Sequence, residues 1–432
     1  TTTGTPVKSC KMTRLGLNGI SEIVGKFGNA SSISAVGTGS SFMQMATFII
    51  TSLAMGSTVI IGHHIGEQKP KEAGNAVGTT IILFLIIAVI MTFVLEFAAG
   101  GIAHLLQAPA ESFDKTILYI RICSAGIVII IAYNVISGVL RGVGNANLPL
   151  LFVGIACVIN IDLNILGDLL LVGVFHMDVA GAAIATVFAQ FVSVVCSVVV
   201  LRKQDMPIEF SREQCRIYKE ELGKILNVGV PIALQETTVQ ISFLVVNSVI
   251  NQMGLMPSAG YGIAQKIVSF IMLVPSSIMQ SVSAFVAQNI GAGKKSRAWK
   301  GFYTAIITGC SVGIIIFMVG FFGGGVLSSF FTNDSEVIAQ SAAYLKGFSA
   351  DCILTCVLFS SIGYFNGCGK SIPVMIQGIT SAFCIRIPVS IIMSRLPETS
   401  LTYVGMATPI TTVYGIIFFV ICFRLLNKNS AK

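Results

Sequence analysis

Residues 150–174 read LLFVGIACVINIDLNILGDLLLVGV, a run long and apolar enough to cross a bilayer that nonetheless holds Asn160, Asp162, Asn164 and Asp168. A carboxylate at the centre of a membrane helix costs about 2.5–3.5 kcal/mol on insertion scales, so one that is kept faces a protein interior or a wet cavity. At about 100° per residue, Asn160, Asn164 and Asp168 fall within roughly 80° of one another on a single stripe, and Asp162 lies off it. The stripe reads as one wall of a polar pocket inside a membrane bundle.

The rest of the chain is able to build such a bundle. Of 432 residues, 54% are hydrophobic and only 11% charged, with a mean hydropathy of +0.85; a soluble domain carries about 25% charged residues. The apolar runs are continuous rather than alternating, which excludes a β-barrel and leaves an all-α membrane protein. The 43 glycines and 12 prolines suit helices that pack closely and kink where neighbours re-satisfy the backbone. Spans are expected near 36–62, 76–100, 116–139, 149–174 and 178–201, then near 224–253, 258–287, 299–322, 340–364, 372–396 and 400–425. The segment 15–27, with Gly16, Asn18, Gly19, Glu22 and Gly25, completes the first set of six but is too short to cross comfortably. Either this first helix is broken and faces a cavity, or the N-terminus is incomplete or altered. It is expected to be short and irregular and to tuck against the fifth and sixth helices, which would bring Glu22 beside Asp168.

The two sets of six are copies. His63-His64-Ile65-Gly66 matches Gln288-Asn289-Ile290-Gly291, and Gly138, Gly142 and Gly144 recur as Gly363, Gly367 and Gly369, every pair at an offset of 225 in the numbering. Pro149 and Pro373 open the fifth and eleventh spans, 224 apart. One spacing held over a whole half is the mark of an internal repeat. The expected domains are therefore a lobe over 1–201, a polar cytoplasmic linker over 202–223 and a second lobe over 224–432. An even number of spans per copy puts the pseudo-two-fold axis along the membrane normal. With both termini and the 2–3, 4–5, 6–7, 8–9 and 10–11 loops on one side, that side holds 20 of the 27 Lys and Arg. The positive-inside rule makes it cytoplasmic and the location the cell membrane.

Motifs for catalysis are missing: there is no His-Glu-x-x-His, Walker loop or Gly-x-Ser-x-Gly elbow, so an enzyme is not expected. The net charge of +8 is spread over short loops and points to topology rather than nucleic acid. His63 and His64 read as structural, since their repeat partners are Gln288 and Asn289, and Cys352 and Cys356 read as packing residues. Glu96 and Asp351 fall near expected span ends, where a solvated position is cheap. Glu236, one turn past Pro231 among Gln235, Thr237, Thr238 and Gln240, is a candidate cavity residue, and Arg386 beside Pro388 is a candidate partner for a buried carboxylate.

The duplicated halves, the Gly-Val-Leu-Arg-Gly-Val-Gly-Asn run at 138–145, the Ala-Gln-Asn-Ile-Gly-Ala-Gly run at 287–293 and the Val-Ala-Gly-Ala-Ala-Ile-Ala-Thr run at 179–186 together resemble the multidrug and toxic compound extrusion (MATE) family, in the bacterial branch typified by DinF and MepA. The resemblance covers about residues 30–425. It implies a V-shaped twelve-helix antiporter that expels lipophilic, often cationic compounds in exchange for H+ or Na+, with no other cofactor. It also implies a coupling site of Asn164, Asp168 and Thr186. Family members of this type carry an Asp in the first helix, where this chain aligns Ile20; Glu22 is the nearby carboxylate and joins the candidate set. The expected substrate cavity takes in Asn160, Gln190, Glu236, Gln240 and Arg386, and the expected partners are small-molecule drugs or organic cations and the lipid bilayer, with the chain a monomer. A flippase for lipid-linked glycans and a non-transporting membrane receptor or enzyme are the alternative functions.

Overall fold

The computed structural model describes residues 30–106, 109–144, 169–175, 177–202, 208–209, 211–396 and 400–430. The expected first helix and most of the fifth, with Glu22, Asn160, Asp162, Asn164 and Asp168, lie outside the described residues. The chain divides into two compact units, Thr1–Ile61 with Lys69–Ile225, and Gly62–Gln68 with Leu226–Lys432.

In the first unit the helices are α1 (Ala30–Gly66), α2 (Pro70–Leu105), α3 (Phe113–Ala125), α4 (Ile127–Val143) and α5 (Asp178–Arg202); the last turn of α1, from Gly62, belongs to the second unit. The second unit holds α6 (Lys219–Asn251, whose first turns up to Ile225 belong to the first unit), α7 (Leu255–Ile271), α8 (Leu273–Gly291), α9 (Lys295–Ser329), α10 (Ser335–Phe348), α11 (Asp351–Gly367), α12 (Ser371–Thr380), α13 (Ile387–Ser394) and α14 (Leu401–Ser430). Among the described residues, eight helices are long and apolar enough to cross a membrane, or ten when each of two bent pairs counts as one span.

Local chemistry explains these elements. α2 opens on Pro70, at a position where the missing N–H would be unpaired anyway. α10 is capped by Asp334, whose carboxylate accepts from the Glu336 and Val337 amides. Hydroxyl residues inside the apolar helices donate back to the carbonyl four residues earlier, as Thr80 does to Ala76, Ser328 to Gly324 and Ser360 to Cys356, so they need no outside partner. The outer faces are as apolar as the core: Phe97 is 85% exposed and its repeat counterpart Phe322 is 76% exposed, as lipid-facing side chains are.

The repeat is visible in the packing of each unit. In the first, Thr58 donates to the Gly138 carbonyl (2.9 Å), and Gly142 packs on Thr58 and Ile61. In the second, Gly363 packs on Met279 and Val282, and Gly367 on Ser283 and Val286. Ser283 and Val286 are the repeat counterparts of Thr58 and Ile61. Gly144 and Gly369 end the two helices with φ of 75° and 71°, the left-handed stop that glycine adopts without strain.

Two expected spans are bent. The one at 116–139 breaks at Gly126 with a 51° angle between α3 and α4, and the one at 340–364 breaks between Phe348 and Asp351 with a 48° angle between α10 and α11. Gly126 and Asp351 are themselves repeat counterparts, so the bend belongs to the repeat. The described part of the polar linker is largely exposed, and it also lies on α2. The Glu209 amide donates to the Pro70 carbonyl (3.3 Å), Gln214 donates to Lys71, and the Tyr218 amide donates to Thr79 (3.2 Å). Gly74 and Gly78 make this possible, since a Cβ on either would collide with linker backbone at Glu209 or Gln214.

Candidate functional site

In the first unit the described part of the fifth span begins at Leu169, one residue past Asp168, as a π-helical turn over Leu169–Val174. This wide turn packs on the start of α5, where a Cβ on Gly181 would come within 3.1 Å of Leu171. Thr186 and Gln190 lie one turn apart and share a face of α5, both half-buried. The Thr186 hydroxyl donates its proton to the Ala182 carbonyl (3.0 Å), which leaves its lone pairs to accept. Gln190 Oε1 is buried and has no hydrogen-bond partner among the described residues. The face thus carries two oxygens suited to a cation or to a donor group, and a buried acceptor left unpaired costs about 1–3 kcal/mol.

The second unit contains a polar cluster contributed by α6, α11 and the turn before α13. Glu236 on α6 accepts from Gln240 Nε2 (2.8 Å), which brings these two expected residues together. Arg386 ends a π-helical turn, Ser381–Arg386, that precedes Pro388. Proline has no N–H for the carbonyl four residues back, so the backbone there widens. Arg386 Nη1 donates to Ser242 Oγ (2.9 Å), its guanidinium lies 4.4 Å from the Phe243 ring centroid, and its Nε is buried without a partner among the described residues. The side chain is half-buried.

Asp351 corrects the reading of a solvated span end. It opens α11 just past the bend and is 1% exposed; Thr355 donates to its Oδ2 (2.7 Å), while Oδ1 has no partner among the described residues. The expected span 340–364 itself has Asp351 near its middle, so the apolar run and the burial agree against a solvated end. Its carboxylate and that of Glu236 lie in the field of Arg386, and among the described residues no direct ion pair joins either to the guanidinium. One cation facing two carboxylates, loosely held, is an arrangement that a bound group or a proton can tip. The sequence holds a further signal: Arg386 is the repeat counterpart of Asp162, at the same offset as Pro373 from Pro149, so the two halves carry opposite charge at corresponding positions of the fifth and eleventh spans.

Other expectations fall into place as packing. Glu96 is partly exposed, accepts from Ser124 (3.0 Å) and pairs with Arg121 (3.4 Å). His63, within the second unit, donates from Nε2 to the Gly367 carbonyl (2.8 Å), and Cys356 Sγ lies 3.3 Å from the Cys352 carbonyl in the core.

The sequence profile of the MatE family matches residues 20–166 and 231–392, most of both halves. The chain belongs to the MatE family. Its relatives include the probable multidrug resistance protein YoeA of Bacillus subtilis, 25% identical over 94% of this chain and 90% of that protein. Another is the multidrug export protein MepA of Staphylococcus saprophyticus, 25% identical over 86% of this chain and 81% of that protein. Among solved structures, the outward-facing conformation of a multidrug resistance MATE family transporter superposes with a TM-score of 0.87 at 21% identity, covering 97% of this chain and 93% of that one. MatE proteins are transporters and not enzymes, and this one is a multi-pass membrane transporter.

Proposed function

We propose that this MatE protein is a secondary active multidrug exporter of the cell membrane, driven by antiport of H+ or Na+. The observation that carries the reading is the Thr186–Gln190 face of α5, which offers two acceptor oxygens on the helix whose start packs against the turn that follows Asp168. In this reading Asp168 exchanges the coupling cation, with Asn164, Thr186 and Glu22 as further ligands. Asn160 and Gln190 in the first half, and Glu236, Gln240 and Arg386 in the second, meet the substrate. Cation binding at Asp168 biases the protein between outward-open and inward-open states by the difference in its affinity for the two, which is alternating access. Both termini lie in the cytoplasm and the monomer is the working unit. The names carried by the YoeA and MepA relatives support lipophilic drugs as the cargo.

Reconstituted vesicles test this reading. Ethidium movement driven by an imposed pH or Na+ gradient is the expected result, and varying Na+ at fixed pH separates the two coupling modes. Glycolipid scrambling without ethidium flux would replace it with a flippase, and no flux of either kind with a non-transporting role.

A further inference from the structure

A cleft of about 280 Å3 opens between α9, α11 and α14 in the second unit. Its walls include Trp299, Tyr303 and Ile306 from the start of α9, Val357 from α11, and Phe419 and Arg424 from the end of α14. Trp299 anchors an aromatic cluster, with ring centroids 5.0 Å from Tyr364 and Phe423 and 5.2 Å from Phe302. Trp and Tyr gather at the level of lipid headgroups, and helix ends bearing basic residues mark the same level. The volume falls just below the roughly 300–1,000 Å3 of a drug-sized pocket, and the long axis, from Ile416 to Arg424, spans about 12 Å at 1.5 Å per residue. That shape is a slot for one acyl chain.

The repeat says that such a face needs a cover. Trp299 and Tyr303 are the repeat counterparts of Gly74 and Gly78 on α2, the two glycines on which the linker lies. In the first unit protein covers the position, through Glu209, Gln214 and their neighbours. In the second, among the described residues, aromatic side chains fill part of it, and Tyr303 stays 52% exposed. Charge identifies the occupant. Arg424 closes one end of the cleft, Lys294, Lys295, Arg297 and Lys300 stand on the adjoining turns of α9, and the three helices hold a single carboxylate, Asp351, at the far end of α11. Among the described residues Arg424 forms no ion pair.

We infer that this cleft is a binding site for an anionic phospholipid, its phosphate on Arg424 and one acyl chain laid along Ile306, Val357 and Phe419. Trp299 is the sole tryptophan of the chain and forms the wall, so it reports directly. Protein reconstituted in phosphatidylcholine is titrated with acyl-brominated phosphatidylglycerol or with acyl-brominated phosphatidylcholine while Trp299 fluorescence is followed. Half-quenching is expected at an about fivefold lower mole fraction of the anionic lipid, the preference that one basic residue at a membrane surface confers. Arg424→Gln should abolish the difference and Arg424→Lys should restore it. Equal quenching by the two lipids in the wild-type protein, which is what ordinary annular lipid gives, overturns the site. So does a preference that survives Arg424→Gln.

Discussion

Gly142 and Gly367 hold the same place in the two halves: a Cβ on the first would lie 2.8 Å from the Thr58 carbonyl oxygen, and on the second 2.6 Å from that of Ser283. Both contacts are backbone against backbone, which cannot yield as a flexible side chain can. Gly367→Ala should therefore destabilise by about 1–3 kcal/mol, the range for overpacking a close contact. Gly325→Ala, where nothing lies within 4 Å of the new Cβ, should be neutral within about 0.5 kcal/mol. Thermal unfolding of the two purified variants compares them; equal midpoints would remove the steric role given to Gly367.

Arg386 is the counter-charge to Glu236 and Asp351. Replacing it with Met should lower stability by about 1–3 kcal/mol, less than the ~3–5 kcal/mol for breaking a fully buried pair because the guanidinium keeps partial solvent access. Adding Glu236→Gln should recover part of the loss, with a coupling of at least ~0.5 kcal/mol in the double-mutant cycle. Additive losses would mean that the two side chains do not sense one another.

Gln190 carries a buried oxygen without a partner among the described residues. Gln190→Leu removes that unpaired acceptor and should leave stability unchanged or raise it by up to about 1–2 kcal/mol. Ethidium transport should fall in the same variant. A residue kept for packing would show the reverse, a less stable protein with transport per folded molecule intact.

Thr186→Val keeps the size of the side chain and deletes the oxygen. Together with Asp168→Asn, each in its own protein, it should lower gradient-driven ethidium flux about tenfold or more, the effect of losing ~1.4 kcal/mol of bias between two states. Thr186→Ser should retain flux. Membrane insertion, followed by surface labelling, should be unchanged in all three, and full flux in Asp168→Asn would end the coupling role.

The duplication was legible because its evidence is repetition: glycines at 138, 142 and 144 return at 363, 367 and 369, and side chains that must stay small for the same contact keep their spacing. The helical class followed from continuous apolar runs. The bends did not, since Gly126 is one of 43 glycines and nothing in its neighbours singles it out. Asp351 lies near the middle of the apolar run 340–364, and its burial follows from that position rather than from any span end. The polarity of the linker was legible and its docking was not, because Gln214 and the Tyr218 amide find their partners on α2, far back in the chain, where no local pattern reaches. Glu236, Gln240 and Arg386 were legible from polarity within spans, and Thr186 came from the resemblance; Ser242 and Phe243, which hold Arg386, were not legible, because a serine and a phenylalanine in a membrane helix draw no notice.

The docking of the linker on Gly74 and Gly78 decides where this protein can be cut or tagged. A protease site or a reporter inserted over 211–218 would have to break the Gln214 and Tyr218 bonds to α2 and would strip cover from a helix face, so split or sensor versions built there should assemble poorly. The turn at Gly293, exposed and with open space around its α-carbon, interrupts no contact of that kind. A tag inserted there should disturb the protein less than one inserted over 211–218.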